Sequence, residues 1–262
     1  MDTDKLIELH RYDTRAQSQL SASGETPVAR TFGSNAIQPY LRAPYIFYEK
    51  CVRECIGPQD QVLELGAGMG LHTYALVQTG ARVTATDISP NALKLLEQRI
   101  VRTDMHVITQ VADMESLPFA DASFDVVACA GSLSYGDPTL VDAEIRRVLR
   151  PGGLFVCVDS LNHNPIYRFN RWLHYLRGDR TKSTLQQMPD LARIESVCNG
   201  FTKVSLHYFG ALSFAMPAVV RLCGPERAQT FSDFFDRLIC VKRSAFKFVL
   251  VAKGLTKTTQ FG

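Results

Sequence analysis

No stretch of this 262-residue chain approaches the ~18 uninterrupted apolar residues that a membrane-spanning helix needs. No apolar run follows the charged start Met1-Asp2-Thr3-Asp4-Lys5, so no signal peptide is expected. Charge of one sign is also scarce. The formal balance of +3 lacks the basic stripe of a nucleic-acid binder. The seven cysteines, Cys51, Cys55, Cys129, Cys157, Cys198, Cys223 and Cys240, contain no C-x-x-C and no paired metal spacing. Such thiols suit a reducing compartment, so the expectation is a cytoplasmic protein without a structural metal. No internal repeat or low-complexity segment breaks the chain.

What is present is apolar content enough for a core, 46% of residues, at a length that suits one α/β domain with insertions. The chain turns on Val62-Leu63-Glu64-Leu65-Gly66-Ala67-Gly68-Met69-Gly70. A short apolar run ends in a glycine-rich turn, and Leu71-His72-Thr73-Tyr74-Ala75-Leu76-Val77 continues as a helix. Strand, glycine turn and helix together bring backbone N–H groups close to a ligand. A dinucleotide fingerprint reads G-x-G-x-x-G. Here the third glycine comes one residue early, at Gly70, and Leu71 stands where that pattern needs glycine.

Further segments follow in register. Arg82-Val83-Thr84-Ala85-Thr86-Asp87 reads as a strand ending in an acid, followed by Ile88. Ala112-Asp113-Met114 opens a loop that closes on Leu117-Pro118-Phe119. Ser123-Phe124-Asp125-Val126-Val127 runs to Ala130, and Leu149-Arg150-Pro151-Gly152-Gly153 leads into another apolar strand. With E-x-G-x-G-x-G at Glu64–Gly70, this series resembles the class I S-adenosylmethionine (SAM) dependent methyltransferases of the small-molecule type. The likeness is tight over about residues 60–160 and looser elsewhere.

Alternating strands and helices predict a Rossmann-like, doubly wound α/β sheet. The resemblance implies seven strands, the last antiparallel, with helical insertions after strands five and six. One domain over 1–262 is expected: a helical lid (1–57), a cofactor core (58–160) and acceptor-pocket insertions (161–184 and 211–243). Tyr40 to Ile56 and Thr139 to Leu149 read as helices, the latter with Asp142, Glu144, Arg146 and Arg147 outward. Ile166 to Arg177 reads as a helix with Arg168, Arg171 and His174 on one side and Phe169, Trp172, Leu173 and Leu176 on the other. Phe231, Phe234, Phe235, Leu238 and Ile239 form another stripe. Ligands of such sheets lie beyond the carboxyl ends of the strands, where Glu64, Asp87, Asp113 and Ala130 converge.

The resemblance assigns roles residue by residue. Gly66, Ala67, Gly68 and Gly70 pass under the methionyl part of SAM, and Glu64 holds its ammonium. Asp87 accepts from the ribose hydroxyls, and Ile88 packs on the adenine. Asp113 accepts from the adenine amino group, between Ala112 and Met114. Ala130 lies near the methionyl end. The family's Y-D-x-x-A helix makes Tyr12 a lid residue. An oxygen acceptor wants a general base. His163 is the first candidate, with Tyr135 and Asp137 also near the crevice. Ala130-Gly131-Ser132-Leu133 lacks the P-P motif of base- and glutamine-directed N-methylases. Cys129-Ala130 offers no hard oxygen ligand for Mg²⁺.

The expectation is therefore O- or N-methylation of a small molecule: a sugar, nucleotide-sugar, lipid-linked or natural-product acceptor. No nucleic-acid partner is expected, and the chain is a monomer or homodimer. Peripheral membrane contact through the Ile166–Arg177 helix stays open, though packing on the domain is favoured. RNA- or protein-directed methylation, or SAM binding without catalysis, are the alternatives.

Overall fold

The computed structural model describes residues 3–22, 32–101, 105–177, 181–238 and 244–256. The helix α1 (Thr3–Ala22) comes first. Short 3-10 turns at Gly33–Ala36 and Pro39–Leu41 lead into α2 (Ala43–Cys55). Then come β1 (Gln61–Leu65), α3 (Thr73–Val77), β2 (Arg82–Asp87), α4 (Pro90–Val101), β3 (Ile108–Val111) and β4 (Phe124–Ala130). They are followed by α5 (Pro138–Val148), β5 (Leu149–Ser160), α6 (Pro165–Leu176), α7 (Lys182–Gln186), α8 (Leu191–Cys198) and β6 (Phe201–Phe209). Two helices, α9 (Met216–Cys223) and α10 (Pro225–Leu238), precede β7 (Lys247–Leu255).

The seven strands stand in the order β3-β2-β1-β4-β5-β7-β6, with β7 antiparallel to both neighbours. This is the expected Rossmann-like sheet. Its strand alternation feeds two cores. Val62, Val126, Ala128, Val156 and Val158 face α2, α3 and α4 on one side. Leu63, Val127, Cys129, Phe155 and Cys157 face α5 and α8 on the other. Successive residues of one strand serve opposite faces, which is why the central strands are mostly apolar on both sides.

Several sequence expectations need correction. The helix expected from Tyr40 begins at Ala43, because the 3-10 turn with Pro39 at its start holds Tyr40 and Leu41. The helix after the glycine bend is only five residues long, since Leu71 and His72 are still in the turn. Asp142 is not outward. It is buried against the guanidinium of Arg193, with Nη2–Oδ1 at 3.1 Å. The two sides of α6 do not divide as expected: Arg171 is buried while Arg168 stays exposed, and Phe169, Trp172 and Leu176 are exposed. Tertiary hydrogen bonds decide this, because Arg171 Nη1 donates to the Leu161 carbonyl at 2.9 Å. Phe231 and Phe234 of the second stripe are likewise exposed. Ile239 lies outside the described residues, as does Cys240.

Candidate functional site

Three glycines of the bend hold positive φ: Gly66 at 63°, Gly68 at 53° and Gly70 at 78°. They differ in what they face. A Cβ on Gly66 would strike Ser132, and one on Gly70 would meet Leu96 Cγ at 2.7 Å. A Cβ on Gly68 would meet no protein atom within 4 Å. Gly66 and Gly70 therefore serve packing, while Gly68 fronts open space. The bend is pinned by Ala67 N–H donating to the Thr86 carbonyl at 2.9 Å and by Gly70 N–H donating to Ala67 at 3.0 Å.

Glu64, next to last in β1, is buried, and its carboxylate accepts from Thr73 Oγ1 at 2.6 Å. Burial pushes its pKa up to about 7, against the Thr73 hydrogen bond and with help from the Asp87 charge. Asp87 ends β2. One oxygen accepts from Gly68 N–H at 2.8 Å and the other from Ser89 N–H at 2.9 Å. Burial raises its pKa also, with those amides opposing. Each oxygen of a carboxylate has a second acceptor position, so the pair can still receive two donors from one ligand. Ile88 beside it is half-buried.

Asp113 stands just beyond β3. Ala112 N–H donates to the Asp87 carbonyl at 3.1 Å, joining the two loops. Met114 lies where Cβ atoms on Gly66 and Gly136 would reach it, at 3.5 Å from its Cε and 3.2 Å from its Cγ. Ala130 ends β4 and is half-buried. Acids and bend thus share the carboxyl edge of β1, β2 and β3.

Helix α1 closes over this edge and lies along α4. Tyr12 reaches Tyr135, their hydroxyls 2.5 Å apart and their rings edge to face. Asp13 accepts from Ser89 Oγ at 2.7 Å and from Asn91 Nδ2 at 2.8 Å. Lys5 Nζ reaches Asp113 at 2.6 Å and Glu115 at 2.8 Å. Of these α1 residues only Tyr12 was named from sequence as a site residue. Asp13 is the acid of that same Y-D-x-x-A pattern, whereas Lys5 gave no signal beyond charge in the first turn of a helix; their partners lie more than seventy positions away along the chain.

The other acid–base candidates separate. Asp137 caps α5, one carboxylate oxygen accepting from Thr139 N–H and Leu140 N–H. His163 sits half-buried between β5 and α6, and makes no polar contact with any described residue of the edge. His72 is buried instead. It stacks on Tyr45 with ring centroids 4.8 Å apart, and burial aided by the Lys247 charge takes its pKa down to about 4. Its ring is therefore neutral near pH 7.

Comparison with known proteins bears on the family and the fold. Residues 63–157 match the family model described as a methyltransferase domain. A demethylmenaquinone methyltransferase of Tropheryma whipplei is 36% identical over 150 residues, covering 55% of this chain and 60% of the relative. The chain spans 36% to 60% of the length of the curated relatives it matches. Among solved structures, a geranyl diphosphate methyltransferase in complex with GPP and sinefungin superposes with a TM-score of 0.56 at 21% identity, over 81% of this chain and 79% of that one. The cyclase SpnF superposes with a TM-score of 0.62 at 16% identity, over 97% of both chains. At these identities the structures establish the fold.

Proposed function

We propose that this chain, whose residues 63–157 form a methyltransferase domain, moves a methyl group from SAM to an oxygen or nitrogen of a small molecule. The observation that carries the reading is the convergence of Glu64, Asp87 and Asp113 on a bend whose middle glycine fronts open space. Carboxylates at three strand ends match the donor set of a cationic nucleoside with hydroxyl, ammonium and exocyclic amino groups. When bound, SAM supplies a methyl carbon made electrophilic by a positive sulfur.

The protein's own part is placement. Asp87 keeps two lone pairs for the ribose hydroxyls while the Gly68 and Ser89 amides hold it still. Glu64 becomes a full anion beside the ligand's ammonium, held by the Thr73 hydroxyl. Asp113 offers an oxygen to the adenine amino group when Lys5 yields, and Ile88 and Met114 flank the ring. Helix α1, tied down by Tyr12, Asp13 and Lys5, excludes water from the reacting atoms. Displacement forms the bond from acceptor to methyl and breaks the bond from methyl to sulfur. The acceptor's proton leaves to a base, which we assign to His163 or, through the Tyr12–Tyr135 pair, to solvent. The region 1–57 acts as lid, 58–160 as cofactor core, and the segments after β5 and β6 as acceptor pocket, in a monomer or homodimer.

Among the described residues no helix is long and apolar enough to cross a membrane. Calorimetry of the whole chain with SAM, S-adenosylhomocysteine and NAD tests the reading. Binding of the two sulfur nucleosides but not NAD is expected. NAD binding without SAM binding would overturn it. Methyl transfer to a panel of hydroxylated and aminated small molecules then separates an enzyme from a binding module.

A further inference from the structure

Lys247, the first residue of β7, pairs in register with Ser160, the last of β5. Its side chain is 8% exposed. The ammonium donates to Ser160 Oγ at 3.3 Å and lies 5.1 Å from the Tyr45 ring centroid and 5.6 Å from that of Phe246. Among the described residues no carboxylate lies within ion-pair distance of it. A buried ammonium is stable only when something returns its lost hydration. One hydroxyl and two ring faces return part of it. Asp236 lines the same small cavity, but its oxygens accept from Gly210 N–H at 2.7 Å and Ala211 N–H at 3.0 Å.

A second observation comes from the neighbouring rings. His72 stacks on the same Tyr45 and meets Tyr48 edge to face, with centroids 6.4 Å apart. His72 Nδ1 and Tyr48 Oη are both buried and have no hydrogen-bond partner among the described residues. Buried polar atoms are almost always satisfied, so two orphans beside one cation without a carboxylate in reach among the described residues mark a place where a polar partner belongs. The cluster also sits at the edge that holds the glycine bend. His72 is two residues beyond Gly70, and Ser160 is two beyond Val158, the register partner of Ala130.

We propose that Lys247, Ser160 and the His72–Tyr45 pair form the anion-recognising end of the acceptor pocket, so that the methyl acceptor carries a carboxylate or a phosphate. This rests on the methyltransferase reading above and narrows its substrate class. The ammonium and the serine hydroxyl both donate to an oxyanion. The stacked rings cover the apolar part of the acceptor beside it. Arg171 adds a second buried cation across the Phe246 ring, at 5.6 Å from its centroid, while Nη1 stays bonded to Leu161. A neutral acceptor would leave the cation without its counter-charge, which makes the subsite selective as well as attractive.

Titration calorimetry of the full chain, alone and saturated with S-adenosylhomocysteine, tests this with benzoate, phenyl phosphate and benzyl alcohol as probes. The wild type should bind at least one anionic probe about tenfold or more tighter than the alcohol, the size of one charge-assisted hydrogen bond. Lys247→Met should lose that preference, hold its melting temperature and keep its S-adenosylhomocysteine affinity within about twofold. Lys247→Arg should retain the preference. Equal binding of all three probes, no binding by either anion, or an unchanged preference in Lys247→Met overturns the proposal. A parallel fall in S-adenosylhomocysteine affinity also overturns it, because the anion would then be the cofactor's own carboxylate. Failure of the methyltransferase reading shows separately, as absence of S-adenosylhomocysteine binding by the wild type, and the probe preference is still read on the unliganded protein.

Discussion

Lys5 and Asp113, 108 residues apart, form a two-point contact in which Nζ lies 2.8 Å from one carboxylate oxygen and 2.6 Å from the other. Helix α1 therefore occupies the acid expected to receive the adenine amino group. Glu115, at 2.8 Å from the same ammonium, gives Lys5 a second seat. The lysine can move aside without losing its counter-charge, so entry of a cofactor exchanges one partner for another.

Lys5→Met should accordingly raise both the association and the dissociation rate of SAM, by several-fold each, because the contact holds the lid shut with or without ligand. The equilibrium affinity should change by less than about threefold. Stopped-flow binding measures both rates, and an association rate equal to wild type would show that α1 is no gate.

Asp87→Ala should weaken SAM binding by about 1–3 kcal/mol, the cost of losing hydrogen bonds to a charged group. It also frees the Gly68 and Ser89 amides that the carboxylate now holds. Calorimetry reads the change directly. Unaltered affinity would remove Asp87 from the ribose contact.

Glu64 links pH to both stability and binding. Its folded pKa of about 7 exceeds the ordinary 4.5. Between those values the unfolded chain has given up the proton and the folded one has not. Raising the pH through that window therefore lowers the stability of the unliganded protein, by about 3 kcal/mol from this group. Glu64→Gln keeps an acceptor for Thr73 and carries no proton to lose. Its melting temperature should match wild type near pH 4.5 and exceed it at pH 8, while its SAM affinity falls. SAM binding to the wild type near pH 7 should release a proton, seen as a dependence of the calorimetric heat on buffer ionisation enthalpy. A pH-independent gap between the two melting curves would contradict this.

The buried Asp142–Arg193 pair ties α5 to α8, and Arg193 Nη1 also donates to the Leu133 carbonyl at 2.8 Å, two residues before Tyr135. Arg193→Met should cost about 3–5 kcal/mol by stranding a buried carboxylate. Asp142→Asn combined with Arg193→Met should recover most of that loss. Urea unfolding of Arg193→Met, Asp142→Asn and the double variant checks it, and additive losses would argue that the pair is uncoupled.

His163→Ala and Tyr135→Phe divide the acid–base question. Loss of kcat with unchanged SAM affinity in His163→Ala would make it the base. Tyr135→Phe breaks the 2.5 Å contact with Tyr12, and should weaken SAM retention along with turnover. Full activity of His163→Ala on a true acceptor removes it from the mechanism.

The sequence by itself determined the sheet and the acid-lined edge beside the glycine bend. Apolar runs of fixed length, a bend needing positive φ at Gly66, Gly68 and Gly70, and acids at the ends of β2 and β3 are local properties, written in consecutive residues. Strand limits such as Arg82–Asp87 and Phe124–Ala130 were legible for the same reason. Only the tertiary structure decided which polar residues turn inward. Helical periodicity set Arg171 and Asp142 on outward faces, and partners elsewhere in the fold, the Leu161 carbonyl and Arg193, took them in. Lys5 against Asp113, and Lys247 against Ser160 and Tyr45, likewise join residues far apart along the chain. A side chain's preference for water is local. Whether burial is compensated depends on groups that chain folding alone brings within reach.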